Sequence, residues 1–114
     1  MENCLFCKII KGEIPSTKVY EDDMMLAFRD IEPQAPEHII IIPKEHIESA
    51  NDINESNAEY VAHIWSKIPQ IAKDCGIDKD GYRVVNNCGK NGGQTVMHLH
   101  FHLMGGREFG WPAG

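Results

Sequence analysis

Four consecutive isoleucines, Ile39 to Ile42, stand between Glu37-His38 and Pro43. A stretch that is apolar at every position and closed by a proline reads as a strand buried on both faces and central to a sheet. The chain must therefore fold around this strand, and the other extended stretches fall in beside it. Thr17 to Glu21 and Met24 to Asp30 flank an Asp22-Asp23 turn, which predicts a hairpin whose turn acids are solvated. Gly81 to Asn87 reads as a fourth strand, and Cys88 to Gly93 as a glycine-rich turn.

The fifth strand is expected from Thr95 to Gly106, where His98, His100 and His102 alternate with Met97, Leu99, Phe101 and Leu103. Period-2 alternation predicts an apolar buried face and an opposite face carrying three imidazoles, roughly 6.5–7 Å apart along the strand. Half of the chain's six histidines sit in this row. One strand histidine is commonly structural, but three in register mark an active-site strand.

Between the strands, Ser56-x-x-Glu59 has the pattern of a capping box. Val61, Ile64, Ile68, Ile71 and Cys75 then recur at helical spacing, and Gly76 supplies a stop. Pro69 lies inside this pattern and is expected to kink the helix or split its last turns. His63 and Trp65, near the edge of the apolar stripe, read as packing or interface residues.

At 114 residues the chain is expected to form one domain, 1–114, with no internal repeat. A net charge of −6 argues against a nucleic-acid polymer as partner. No apolar run approaches a membrane span, and Met1-Glu2-Asn3-Cys4 does not read as a signal peptide, so a cytoplasmic protein is expected. The four cysteines are then expected to be reduced or metal-bound. Cys4-Leu-Phe-Cys7 suits half a zinc site or two incidental buried thiols, with no βαβ pattern to favour a redox motif.

Several polar residues gather at strand ends. Asp30 closes an apolar strand, where it can cap the loop Glu32 to Pro36 or accept hydrogen bonds from a sugar diol. His38 stands at the entrance of the isoleucine strand and His46 beyond its exit, and Asn87 ends the strand that pairs with the histidines. Gly92-Gly93-Gln94-Thr95 can present consecutive backbone N–H groups to an anion, and placed before three histidines it suggests a phosphate. Neutral imidazole attacks phosphorus well near pH 7, and neighbouring imidazoles disfavour each other's protonation. Two other classes compete: a zinc-dependent hydrolase that uses the three histidines as metal ligands, and a nucleotide-binding interaction protein with little turnover.

His98-Leu-His100-Phe-His102-Leu-Met, preceded by Gly-Gly-Gln-Thr, resembles the signature of the histidine triad (HIT) family. The likeness extends over most of the chain. Lys8 to Pro15, Leu26 to Asp30, Pro33 to Pro36, His38 to His46 and Gly105 to Pro112 look like the Hint branch. That resemblance implies an α+β fold: a five-stranded antiparallel sheet, one main helix and a short N-terminal helix. It implies a homodimer with a continuous ten-stranded sheet. It also implies a purine nucleoside phosphoramidase that cleaves the P–N bond of adenosine or guanosine 5′-monophosphoramidates, with AMP- or GMP-type nucleotides as ligands.

By the same resemblance His100 is the nucleophile that becomes nucleotidylated, with His102, His38 and Asn87 completing the catalytic group. Thr95 and the backbone at Gly93 and Gln94 would hold the phosphate, and Asp30 the ribose hydroxyls. Leu5, Phe6, Ile9, Phe28 and Ile31 would line the base pocket, and Trp111 would reach the partner subunit's site. The cysteine pair resembles that of bacterial relatives, which implies structural zinc on Cys4, Cys7, His46 and His98 and no cofactor for catalysis. Thr95 stands where animal members have serine, and Arg29 where a histidine is common.

Overall fold

The computed structural model describes residues 3–114; of the amino-terminal stretch read above, Met1 and Glu2 lie outside the described residues. The chain runs through helix α1 (Leu5–Ile10), strands β1 (Lys18–Glu21), β2 (Met25–Arg29) and β3 (Glu37–Pro43), and a 3-10 turn (Ala50–Asp52). Helix α2 (Ala58–Asp74), β4 (Tyr82–Val85) and β5 (Phe101–Gly105) follow. The strands form one antiparallel sheet in the order β1-β2-β3-β5-β4, so the isoleucine strand is the middle one, as expected.

The isoleucine run is apolar throughout because each face of β3 meets a different layer. Ile39 and Ile41 pack with Met25, Ala27, Leu103 and Ile64, Ile68 and Ile71 of α2. Ile40 and Ile42 pack with Leu26 and Phe28 of β2 and with Phe6 and Ile9 of α1. Full burial of one isoleucine side chain contributes about 2 kcal/mol relative to leaving it in water. The short helix α1, too short to persist alone, is held by this face of the sheet.

Helix α2 buries Ile64, Ile68, Ile71 and Ala72. It ends as expected at Gly76 (φ +75°), where the Cys75 and Ile77 amides close on the carbonyls of Ile71 and Ala72. Its start differs from the expected capping box. Asn57 is the N-cap and makes no side-chain cap, because its Oδ1 accepts the Asn54 amide at 2.8 Å; Ser56 lies one residue earlier and donates its hydroxyl to Asn54 Oδ1 at 2.6 Å. A capping box does form one turn earlier, Ser49 with Asp52, on the 3-10 turn. Pro69 does not split α2, which runs unbroken from Ala58 to Asp74. Pro69 lies on the exposed side, and the Trp65 carbonyl it deprives of a donor belongs to a residue 48% exposed, so water can satisfy it.

Two other expectations change. Asp22 is not a solvated turn acid. Its Oδ1 accepts the amides of Met24 and Met25, and its Oδ2 lies 2.6 Å from His63 Nε2 and accepts from the Tyr20 hydroxyl at 2.7 Å. This set of bonds ties the β1–β2 hairpin to α2, and it is the role of His63. Nor does the fifth strand begin at Thr95; the ladder starts at Phe101, and 94–100 is irregular. Gln94 is the physical reason. Its amide donates to the carbonyls of Glu48 and Val96 and its Oε1 accepts from Gly89. The Leu99 amide then bonds the Ile47 carbonyl at 2.6 Å, so this segment follows the Ile47–Glu48 loop instead of a strand. No helix among the described residues is long and apolar enough to cross a membrane.

Candidate active site and metal centre

Sheet register assembles the site. His102 on β5 pairs with Ile40 on β3, and His38 pairs with Met104 one step away, so the two histidines are diagonal neighbours on the α1 side of the sheet. Asp30 follows β2 and donates its amide to the His38 carbonyl at 3.0 Å, which brings its carboxylate beside the same pair. Asp30 Oδ2 lies 3.4 Å from His38 Nε2, and His38 Nε2 lies 2.8 Å from His102 Nδ1. The His100 ring stands edge-on to His102, with centroids 5.1 Å apart.

Hydrogen bonds to groups of fixed polarity define the tautomers. A backbone amide can only donate and a carbonyl can only accept. The Gln34 amide donates to His38 Nδ1 at 3.0 Å, so neutral His38 carries its proton on Nε2. That proton is donated to His102 Nδ1, which leaves the His102 proton on Nε2. His100 Nδ1 lies 2.7 Å from the His98 carbonyl and must donate to it, so His100 Nε2 holds a free lone pair. His98 Nε2 donates to the Pro43 carbonyl at 2.9 Å, so His98 Nδ1 is the bare nitrogen. Each ring is fixed for a different task.

Burial keeps these imidazoles neutral. Desolvation pushes His38, His98, His100 and His102 below the ordinary 6.5. His98 falls to about 4, with His46 and His100 opposing its charge and the Pro43 hydrogen bond favouring it. His102 also falls to about 4, pushed further by His100 and His38, while Asp30 acts in the opposite direction. An uncharged imidazole with a bare Nε2 is a nucleophile, and an uncharged imidazole with Nε2–H is a hydrogen-bond donor.

His38, His100 and His102 line a cavity of about 450 Å³. Leu5, Phe6, Ile9, Phe28, Asp30 and Ile31 line it too, as does Thr95. Phe6 meets Phe28 and His100 edge to face, at 5.7 and 5.0 Å between centroids. Ile31 is 95% exposed and belongs to the rim. Asp30 does perform the loop cap, accepting the Glu32 amide on Oδ1 at 2.8 Å, and it faces the cavity as well.

Asn87 is not among the residues lining the cavity; its neighbour Asn86 is the one bonded to the histidine segment, donating to the His100 carbonyl at 2.9 Å. The amides of Gly93 and Gln94 are already spent inside the turn, on the carbonyls of Lys90 and Gly89. Gly93 (φ +80°) shapes that turn. Of residues 93–95, Thr95 is the one that lines the cavity.

A second group lies beside the first. One donor atom from each of Cys4, Cys7, His46 and His98 falls within 4.8 Å of the others. His98 Nδ1 is 3.3 Å from Cys4 Sγ and 3.6 Å from Cys7 Sγ, and His46 Nδ1 is 3.3 Å from Cys7 Sγ. Two thiols and two imidazoles, one with its bare nitrogen turned inward by the Pro43 carbonyl, suit a tetrahedral zinc-type ion. Burial raises the Cys7 thiol to about 11, the penalty a cation would offset. Two of the three triad histidines fall in different groups, His98 with the cysteines and His102 with His38 and Asp30, and His100 is in neither. Among the described residues the three do not form one metal group.

Residues 11–109 match the family described as the HIT domain. The chain belongs to the HIT family. It is 47% identical to the purine nucleoside phosphoramidase of Escherichia coli (strain K12) over 109 residues, covering 96% of this chain and 92% of that one. It is 50% identical to the 14 kDa zinc-binding protein of Zea mays over 112 residues, 96% of this chain and 87% of the other. Among solved structures, a HIT family hydrolase from Legionella pneumophila superposes with a TM-score of 0.95 at 53% identity, covering 98% of this chain and 100% of that one.

Within this HIT fold, sequence reasoning missed residues that have no chemical signature. Ile14, Pro15, Ile40, Gln34 and Val96 also line the cavity. Gln34 acts through its backbone amide, which carries no side-chain signal. Asn86, whose side-chain amide holds the His100 carbonyl, was not singled out either, because its partner lies on the facing segment.

Proposed function

We propose that the chain hydrolyses purine nucleoside 5′-monophosphoramidates, cleaving the P–N bond through a nucleotidylated His100. The observation that carries this reading is the tautomer set: a bare His100 Nε2 facing the cavity, next to His102 with its proton on Nε2. The base seats against Phe6, Ile9 and Phe28, and the free oxygen of Asp30 accepts from the ribose hydroxyls. Thr95 and His102 donate to the phosphate oxygens.

His100 Nε2 attacks phosphorus, and the P–N bond electrons leave with the nitrogen, which departs as the amine after protonation from water. The positive charge formed on His100 is stabilised by its Nδ1–H bond to the His98 carbonyl. Water then attacks phosphorus and releases a proton to solvent, which balances the proton taken up by the amine; the histidine–phosphorus bond electrons return to His100 Nε2, and the nucleotide leaves.

Cys4, Cys7, His46 and His98 would hold a zinc ion that ties the N-terminus to the sheet; such a closed site leaves His100 and His102 free for chemistry. In this reading residues 1–114 form a single HIT domain that works as a homodimer. β4 is the sheet edge where a second copy would continue it to ten strands. Arg83 and Arg107 bracket Phe109 and hold the tail along β4, which leaves Trp111 87% exposed and available to the partner subunit's site. Four free cysteines fit a reducing cytoplasm.

The test is intact-mass analysis during turnover of adenosine 5′-phosphoramidate, without an acid quench. A nucleotide-sized increase, absent in His100→Gly and retained after chelation, is the expected result. Turnover without an adduct, abolished by chelator, would overturn the covalent route.

A further inference from the structure

One residue links the ligand group to the catalytic histidines of this site. His98 is fully buried, and its side chain is pinned at both nitrogens, by the Pro43 carbonyl and by the Cys4 and Cys7 sulfurs. Its backbone carbonyl accepts the proton that fixes the His100 tautomer. Helix α1 makes a second connection. Cys4 caps that helix and Cys7 lies within it, while Leu5, Phe6 and Ile9 of the same six residues line the nucleoside cavity. The Phe6 ring sits edge-on to both His98 and His100, with centroids 5.9 and 5.0 Å away. An isolated helix of this length does not hold its shape, so the floor of the cavity depends on what anchors it.

We propose that His98 is a positioning residue that couples the two groups, so that a zinc-type ion on Cys4, Cys7, His46 and His98 and a purine nucleotide in the cavity strengthen each other's binding. The proposal rests on the nucleotide reading given above. The ion draws Cys4, Cys7 and His98 together, which sets helix α1 against the sheet and holds the His98 carbonyl in place. The nucleotide, in turn, packs on Phe6 and Ile9 and holds the same helix against the ligand group from the other side. Thermodynamic linkage requires the two effects to be equal: whatever factor the ion adds to nucleotide affinity, the nucleotide adds to ion affinity.

Two titrations test this on the full chain. In the first, adenosine 5′-monophosphate is titrated calorimetrically into zinc-loaded and chelator-stripped protein whose fold is checked by circular dichroism. In the second, zinc affinity is measured by competition with a metal indicator, with and without saturating nucleotide and corrected for zinc bound by nucleotide alone. The expected result is about a tenfold change in both, equal within error. Nitrogen-15 spectra should also show His100 protonated at Nδ1 in the loaded protein and mixed between tautomers in the stripped one.

If the stripped chain unfolds, both titrations are run in a stabilising osmolyte that keeps it folded, because folding alone would otherwise couple the two ligands. Equal affinities in both titrations, with only a lower unfolding midpoint after stripping, would reduce the ion to a stabiliser and overturn the coupling while leaving the enzyme reading intact. Failure of loaded protein to bind the nucleotide at millimolar concentration would overturn the enzyme reading, and the coupling with it.

Discussion

The neutrality of the buried imidazoles sets the acid limit of the chemistry. His102 sits at about 4 against an ordinary 6.5, because burial and the neighbouring His100 and His38 oppose its charge. When the pH is lowered from 7 to 5.5, a free imidazole becomes about 90% protonated, whereas a group at about 4 becomes only about 3% protonated. Burial also holds the His100 nucleophile below 6.5, so kcat/KM for adenosine 5′-phosphoramidate, corrected for uncatalysed hydrolysis, should lose less of its neutral value at pH 5.5 than an unperturbed histidine nucleophile would allow. An ordinary histidine would reduce it to roughly one tenth. The same titration followed on the His102 ring signal by nuclear magnetic resonance reads the group directly. An acid limb near 6.5 in both measurements would refute the claim that desolvation controls the site.

The same shift has a stability consequence of definite sign. Below 6.5 the unfolded chain takes up a proton at His102 that the folded protein refuses. The contribution is thus whole above 6.5 and is lost progressively as the pH falls toward about 4. A gap of about 2.5 in pKa is worth roughly 3 kcal/mol at most. His102→Asn, which cannot titrate, should show a flatter denaturation profile over this interval.

Three further outcomes follow from the packing. Gly105→Ala would place a Cβ 2.8 Å from Ile77 Cβ and Cδ1 where β5 passes Ile77, so it should cost about 1–3 kcal/mol in urea denaturation. Asp22→Ala removes the carboxylate that joins His63, Tyr20 and two hairpin amides. It should cost about 2 kcal/mol at pH 7. Those hydrogen bonds outweigh burial and hold the Asp22 carboxyl below its ordinary 3.8, so the difference from wild type should shrink as the pH falls below that value. Cys7→Ser should bind zinc at least about tenfold more weakly by the indicator assay, and native mass spectra should show the bound ion of the wild type missing.

Periodicity and turn chemistry made the scaffold legible. Ile39 to Ile42 announced the middle strand because every position is apolar, and the Ile64–Ile68–Ile71 stripe with Gly76 announced α2 and its end. What could not be read were decisions made by distant partners. Asp22 looks solvated until His63, 41 residues away, is packed against it. Ser56 looks like a cap until Asn54 turns the chain so that the helix starts one residue later, with Asn57 at the N-cap. Gly93 and Gln94 look like an anion nest until their amides close the turn on Lys90 and Gly89. In each case a local pattern with two possible partners was resolved by geometry that the pattern does not encode.

The break at 94–100 explains why the histidine motif is not simply a strand. Regular pleating would turn His98, His100 and His102 toward the same face, in a row roughly 6.5–7 Å apart. That arrangement could serve one site only. Gln94 and the Leu99–Ile47 bond hold the first part of the motif away from the ladder, so His98 turns its Nδ1 to the cysteines while His102 stays in register beside Ile40. His100, at the junction, is left with its Nδ1 on the His98 carbonyl and its Nε2 free. In the function proposed above, this departure from alternation is what would let one short motif supply a ligand for an ion, a nucleophile and a donor. A variant that weakens this anchor, Gln94→Ala, should therefore disturb zinc affinity and nucleotide affinity together, although its side chain reaches neither the ligand group nor the cavity. Loss of one affinity without the other would show that the two ends of the motif are positioned independently.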